Sequence, residues 1–377
     1  MKLPEHETKT LNELKKRITE HHNSNQNFNY FTEPLKIINH ERYYLGMSGV
    51  GHECERKIFY GFRNVSTNDF GINGVLATQD GHIQEQLFIA RIRFFMPEIE
   101  LITEQRGGQI AVSDCGGHFS GHLDGVICGI FEAPKTWHVW EHKAVNETKF
   151  NKLKTLAANE KTALKEWDII YYAQAQVYMH YTDLSRHFLT VSTPGGRDYY
   201  SIRTDYNKKD ALYYIERAKN IIENNNIPVK LSDKPEYFKC KWCNHQQICH
   251  FNAVPALNCK TCNKLQYQDN TIFYCTEHKK NIEPAELKNA CDNHIYIPDL
   301  INLPVLKKDD LFTIYKLDGE KTLVNCSKEN AAMKNDDKNI YLVDSDTLRN
   351  KIKNLNNLVV EPIRAAFKGE VIEKKDQ

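Results

Sequence analysis

Residues 121–126 read GHLDGV and residues 140–145 read WEHKAV. Together they decide what core this chain can build. In a strand, side chains two apart share a face. Glu141 and Lys143 therefore point one way beside Val139, while His138, Trp140 and His142 point the other. A glutamate and a lysine on the inward face of a central strand are costly unless they pair or bind metal. Asp124 sits on the preceding strand, flanked by small glycines, and a hairpin-like pairing brings its carboxylate close to Glu141. Two carboxylates with water suit Mg2+ or Mn2+, hard ions that prefer oxygen ligands. The lysine would orient or activate a metal-bound water and stabilise charge on a phosphate. Taken alone, E-x-K is short and common, and a weak ion pair on a surface strand explains it as well.

The surrounding pattern is mixed. LNELKKRITEHH (11–22) reads as a short amphipathic helix. GHIQEQLFIARIRFFM (81–96) carries Ile83, Leu87, Ile89, Ala90 and Ile92 at helical spacing. GQIAVSD (108–114), GHLDGVICGIF (121–131) and WHVWEHKAV (137–145) read as strands. EWDIIYYAQAQVYMHY (166–181) has few breakers and predicts a helix. RHFLTVST (186–193) and DYYSIRT (198–204) predict a hairpin across PGGR, and Asp205 is positioned to N-cap the helix over 208–225. Interleaved strands and helices predict an α/β core. The segment 301–377 carries no readable motif, and its last ten residues are a charged tail.

Composition narrows the class. A chain of 377 residues has room for about two domains. The net charge of +1 is no global signature of nucleic-acid binding, although patches can make local grooves. No apolar run approaches a membrane span, and the polar start MKLPEHETKTLNELKKRITEHHN has no signal-peptide core. A cytoplasmic location is expected, host cytoplasm if the chain is phage-encoded. Thiols stay reduced there, so eleven cysteines point to metal rather than disulfides.

Four short motifs occur in order: GHIQE (81–85), GHLDGV (121–126), EHK (141–143) and QAQVY (174–178). In this order they resemble the RecB-like branch of the PD-(D/E)xK nuclease superfamily, over roughly residues 41–255. The resemblance implies a restriction-endonuclease-like core, a central mixed sheet flanked by helices. It implies that Asp124 and Glu141 hold Mg2+ or Mn2+, that Lys143 serves the hydrolytic water, and that Gln174 and Tyr178 contact DNA or brace the site. Many members carry a His before an acidic residue on the upstream helix. This chain has Gln84-Glu85 instead, with His82 one turn earlier. Glu85 is the candidate there, against a plain exposed helix residue.

The cysteines extend the resemblance. CKWCNHQQICH (240–250) has C-x2-C-x5-C spacing, too tight for four metal ligands by itself. AddB-type and CRISPR-adaptation-type members split an iron–sulfur site, with one cysteine before the core and three after it. The corresponding residues are Cys54, Cys240, Cys243 and Cys249, implying a [4Fe–4S] cluster that staples the ends of the core. Zinc with His245 or His250 as fourth ligand is the rival, and it leaves Cys54 unexplained; a free buried Cys54 is the plain alternative. Downstream, Cys259-x2-Cys262 and Cys275-x2-His278 have the spacing of a zinc ribbon. Cys291 and His294 compete with His278 for the fourth position, and CDNHIYIPDL (291–300) resembles a stretch of phage-type members. Cys115, Cys128 and Cys326 have no partners at metal spacing.

The expected organisation is an N-terminal helical segment (1–40), a nuclease core with the cluster (41–252), a zinc-ribbon-like module (253–300) and a C-terminal region (301–377). The expected activity is a metal-dependent DNA nuclease, an exonuclease by resemblance, in recombination, repair or phage DNA metabolism. Its partners would be DNA, single-stranded or with free ends, and recombination or single-strand-binding proteins, with no membrane. Arg56, Lys57, Arg63, Lys149, Lys152 and Lys154 are candidates for a phosphate track, against an ordinary solvated surface. A non-catalytic nucleic-acid-binding protein on the same fold and an RNA-directed nuclease are the alternatives.

Overall fold

The computed structural model describes residues 8–24, 44–66, 71–268, 272–317 and 319–356. It divides into two compact units, Met1–His52 with Phe70–Ala218, and Glu53–Asp69 with Lys219–Gln377. The fold is mixed α/β, as the interleaved pattern predicts. Of the N-terminal segment, 1–7 and 25–40 lie outside the described residues, as does the charged tail. Among the described residues no helix is long and apolar enough to cross a membrane.

The first unit is built on two sheets. Its strands are β1 (Leu45–Gly46), β2 (Glu100–Ile102), β3 (Glu104–Gln105), β4 (Gly108–Asp114), β5 (Phe119–Leu123), β6 (Gly125–Cys128), β7 (His138–Ala144), β8 (Arg186–Ser192) and β9 (Tyr199–Asp205). The main sheet has five strands in the order β2-β6-β7-β8-β9, and the smaller one runs β1-β5-β4-β3. β7 pairs antiparallel to β6 and parallel to β8, so the main sheet is mixed. The parallel pair is linked by the helices Glu147–Leu156, Glu160–Trp167 and Ile169–Thr182, the crossover that parallel strands require.

The alternation along β7 sorts its side chains as expected. Trp140 and His142 face the Gly71–Phe95 helix, where Phe88 stacks on them with ring centroids 5.6 and 4.9 Å away. Phe88, Ile92, Trp140, Phe188 and Leu101 form the core on that side, joined by Leu11 and Leu14 of the Lys9–Asn23 helix. Glu141 faces the Ile169–Thr182 helix instead.

Four local expectations change. The strand read across 121–131 is two strands in two sheets: β5 pairs with β4, β6 pairs with β2 and β7, and Asp124 sits at the break. Alternation alone cannot show that a chain changes sheets. The helix expected over 81–96 starts ten residues earlier, at Gly71, despite the glycines that weaken its first half. The helix expected over 166–181 begins after Asp168, whose carboxylate accepts from the backbone N–H of Ile170 and Tyr171. The Lys208–Glu223 helix is capped by Asn207, which accepts from Asp210 N–H at 3.2 Å, and not by Asp205, the last residue of β9. The predicted hairpin of β8 and β9 forms in full register.

Gly121 is required by a close approach. A Cβ there would lie 2.5 Å from the Tyr178 ring. The ring cannot yield easily, because it is buried and its hydroxyl donates to His122 O at 3.0 Å. Gly121→Ala is expected to cost about 1–3 kcal/mol by overpacking. A thermal midpoint equal to that of the parent would refute this packing argument.

Two buried imidazoles, His138 on β7 and His187 on β8, set an acid limit. Burial lowers His138 to about 4 and His187 to about 3. An unfolded chain binds protons at these groups from about pH 6.5 downward, whereas the folded chain does not. Their contribution is therefore fully present above pH 6.5 and is lost as pH falls toward 4. The expected loss is on the order of 3 kcal/mol per group. Thermal midpoints from pH 8 to pH 4 test it: a flat profile for the parent, or the same slope in His187→Gln, contradicts the assignment.

The second unit opens with the Glu55–Phe62 helix, capped by the Cys54 thiol, which accepts from Lys57 N–H. It holds a three-stranded antiparallel sheet of β10 (Leu265–Gln268), β11 (Ile272–Cys275) and β12 (Lys280–Ile282). A four-stranded sheet follows: β13 (Val305–Lys308), β14 (Phe312–Lys316), β15 (Thr322–Cys326) and β16 (Ile340–Asp344). The region without readable motifs is therefore folded through residue 356. Its core joins Tyr315, Leu323, Val343 and Leu348 to Val254 and Tyr296. The buried Asn325 amide ties this core together, accepting from Tyr296 N–H and donating to Val343 O.

Candidate functional site

The β6–β7 pairing builds the centre. Gly125 lies opposite Trp140, so the next position outward sets Asp124 beside Glu141. The Asp124 carboxylate leaves the ladder and accepts from His142 N–H at 2.8 Å. Lys143 Nζ lies 2.6 Å from Glu141 Oε2 and 3.8 Å from Asp124 Oδ2. From the facing helix, Gln174 donates to the same Glu141 oxygen at 3.2 Å. Tyr178, one turn on, donates to the backbone of His122 and so braces the segment that carries Asp124. Its side chain is buried, at 2% exposure.

The centre is buried and crowded with negative charge. Glu141 is 2% exposed, and its Oε1 is buried with no hydrogen-bond partner among the described residues. Burial pushes the Glu141 carboxyl upward and the Asp124 charge adds to it. Glu85, on the Gly71–Phe95 helix, is pushed upward in the same way, by burial and then by Asp124. Among the described residues, three carboxyl groups thus share one low-dielectric site with the Lys143 ammonium. Lys143 is held well above its ordinary range because the attraction of Asp124 and Glu141 outweighs its own burial. A cation among these oxygens would reverse the carboxyl shifts.

Tyr171 belongs to this neighbourhood and escaped the sequence reading. Its ring lies 5.6 Å from Lys143 Nζ and 4.5 Å from Lys149 Nζ. The signal was present, since Tyr171, Gln174 and Tyr178 lie three and four apart on one helical face. Of the proposed phosphate track, Lys149 pairs with Asp168 at 2.6 Å and Lys154 with Asp198 at 2.9 Å. Lys152 is exposed, and Lys57 borders the cavity of the first cysteine group described below. Arg56 donates to Pro228 O at 2.6 Å. Arg63 is 1% exposed and donates to Asn224 O, so it is not available to a phosphate.

None of the eleven cysteines forms a disulfide. In the second unit Cys54, Cys240, Cys243 and Cys249 line one cavity, with Tyr60 and His245 beside them. Cys240 is pushed upward first by burial and then by the neighbouring Cys249, Cys54 and Cys243. His245 is 5% exposed and shares its Nδ1 with Ser66 Oγ at 3.0 Å, while His250 lies at the rim of the same cavity.

A separate cavity of about 290 Å3 is lined by Cys259, Cys262, Cys275, Cys291, His278 and His294. Burial raises Cys259 to about 11 and Cys262 to about 12, and the Cys291 thiol is a neighbour of both. His294 Nε2 is engaged by Thr261 Oγ1 and Asn258 O at 3.2 and 3.1 Å. Its Nδ1 is buried without a hydrogen-bond partner among the described residues. Cys115 and Cys326 are buried and Cys128 half-buried, each apart from these groups. Among the described residues no three His, Cys, Asp or Glu side chains stand in closed metal-ligand geometry.

No protein-family model and no curated protein matches the chain. Among solved structures, the crystal structure of SSO0001 is similar with a TM-score of 0.34 at 16% identity, over 64% of this chain and 95% of that one. An alkaline exonuclease, LHK-Exo from Laribacter hongkongensis, is similar with a TM-score of 0.34 at 14% identity, over 48% of this chain and 86% of that one. LHK-Exo in complex with dAMP gives a TM-score of 0.33 at 16% identity, with the same coverage. Likenesses this distant carry no argument for what this chain does.

Proposed function

We propose that this chain is a metal-dependent DNA nuclease of the PD-(D/E)xK kind, working as an exonuclease in recombination, repair or phage DNA metabolism. The observation that carries the reading is the convergence of Asp124 and Lys143 on the buried Glu141, one of whose oxygens has no hydrogen bond among the described residues. A surface ion pair, the plain alternative, would leave both partners in water. A buried carboxylate oxygen left without a hydrogen bond is expensive, and a hard cation relieves that cost.

Asp124 and Glu141 Oε1 supply the donor oxygens that suit Mg2+ or Mn2+, with Glu85 a third carboxyl beside them. When bound, the ion supplies an acidified water and charge neutralisation at a phosphate. Lys143 holds an ammonium at that place, where it steers the water and stabilises negative charge on phosphorus oxygens. Gln174 keeps Glu141 in register and Tyr178 keeps the Asp124 segment in place. The four thiols of the first cysteine group have the donor chemistry for a [4Fe–4S] cluster. Cys259, Cys262, Cys275 and Cys291 have it for zinc.

The decisive experiment digests end-labelled single- and double-stranded DNA and RNA with Mn2+ and with EDTA. Release of labelled nucleotides from DNA ends with Mn2+ only is the expected result. Cleavage of RNA alone would move the reading to an RNA-directed nuclease. Binding without cleavage would make the chain a nucleic-acid-binding protein.

A further inference from the structure

The first cysteine group displays aromatic rings that packing does not explain. Within the second unit, the Phe238–Lys241 helix ends at Trp242. Positions four apart lie on one face of a helical turn, and a position two away lies on the opposite face. Phe238 and Trp242 therefore share a side, and Cys240 points away from them. Burial follows this split, since Cys240 is 9% exposed while Phe238 is 64% and Trp242 80% exposed. Two large rings held in water beside a cluster of thiols forgo the favourable free energy that burial in a core would supply.

Each ring carries a lysine. Lys241 Nζ lies 5.3 Å from the Trp242 ring and Lys239 Nζ 5.5 Å from the Phe238 ring. Lys239 also pairs with Glu53, so Lys241 is the better phosphate donor. Lys230 and Lys234 precede them in the sequence, against Asp233 and Glu236. Exposed rings, each with an ammonium over one face, are the combination that single-stranded nucleic acid uses: bases stack and phosphates pair. A duplex keeps its bases stacked on each other and has no free face to offer. A purely apolar protein partner would not call for the flanking lysines.

We propose that Phe238, Lys241 and Trp242 form a stacking platform for single-stranded DNA. The choice of DNA over RNA rests on the nuclease reading above. The platform itself rests on the exposed rings.

The test uses the full chain in buffer free of Mg2+ and Mn2+, so that no strand is cut. Anisotropy of a labelled oligo-dT and of a blunt duplex is titrated against the parent, Trp242→Ala, Trp242→Phe and Lys241→Ala. Trp242→Ala is expected to weaken oligo-dT binding roughly tenfold and to leave the duplex unchanged. Trp242→Phe should recover most of the loss, and Lys241→Ala should shrink the salt dependence by about one charge. Unchanged affinity in Trp242→Ala, an equal loss for the duplex, or no oligo-dT binding by the parent would overturn the proposal. Equal effects on oligo-U and oligo-dT would keep the platform but remove its preference for DNA. Because nothing is cut here, platform binding without Mn2+-dependent cleavage separates failure of the nuclease reading from failure of this one.

Discussion

Lys143→Ala and Glu141→Gln are each expected to lower Mn2+-dependent DNA cleavage roughly a thousandfold. The reason is that each side chain holds a distinct part of the same centre. Glu141 lends a buried oxygen that nothing else among the described residues engages, and its glutamine isostere keeps the shape while halving the acceptors. Lys143 lies within 4 Å of both carboxylates, so alanine removes the charge that would meet the scissile phosphate. Both variants should stay folded. In Glu141→Gln, Lys143 retains Asp124 at 3.8 Å, and in Lys143→Ala the buried carboxyl keeps its Gln174 hydrogen bond. Far-ultraviolet circular dichroism and thermal midpoints establish folding, and the end-labelled digestion reads the activity. Full activity in either variant would remove the centre from catalysis. Gln174→Ala should lose less, because Gln174 acts by holding Glu141 in place.

The metal content offers the second large effect. Protein purified without oxygen is expected to be brown, with about four irons and one zinc per chain. Cys54→Ala and Cys249→Ala should lose the iron and keep the zinc. Cys259→Ala and Cys291→Ala should do the reverse. The two cavities are lined by separate cysteines, so the losses should not cross. Loss of the cluster should also destabilise the chain by on the order of 5 kcal/mol, because Cys54 lies far in sequence from its partners and the tie closes a long loop. Colourless protein holding only zinc would sink the cluster. A single variant that strips both metals would sink the division into two sites. Zinc kept by Cys291→Ala but lost by His294→Ala would hand the fourth position to the imidazole, whose Nδ1 is open.

Much of this centre was legible before any coordinates. Period-two alternation put Glu141 and Lys143 on one face and Trp140 and His142 on the other, because a strand leaves a side chain no other choice. Helical spacing linked Gln174 to Tyr178 in the same way. The C-x2-C-x5-C and C-x2-C spacings were legible too, although only the resemblance joined Cys54 to the first group. These are local facts, carried by the periodicity of the backbone.

Other features depend on partners distant in sequence. Asp124 reads as the middle of one long strand, but β5 and β6 answer to different neighbours, and the break between them frees its carboxylate to cap His142 N–H. Asn207, rather than Asp205, caps the following helix because β9 keeps Asp205 paired with Arg186. Tyr171 entered the site only when its helix packed against β7. The sheet from β13 to β16 left no motif at all, since its core is assembled from apolar residues whose spacing says little by itself. The sequence alone determined which side chains share a face, because that relation repeats along the chain. Only the tertiary structure decided which faces meet, since burial and pairing are settled between segments far apart.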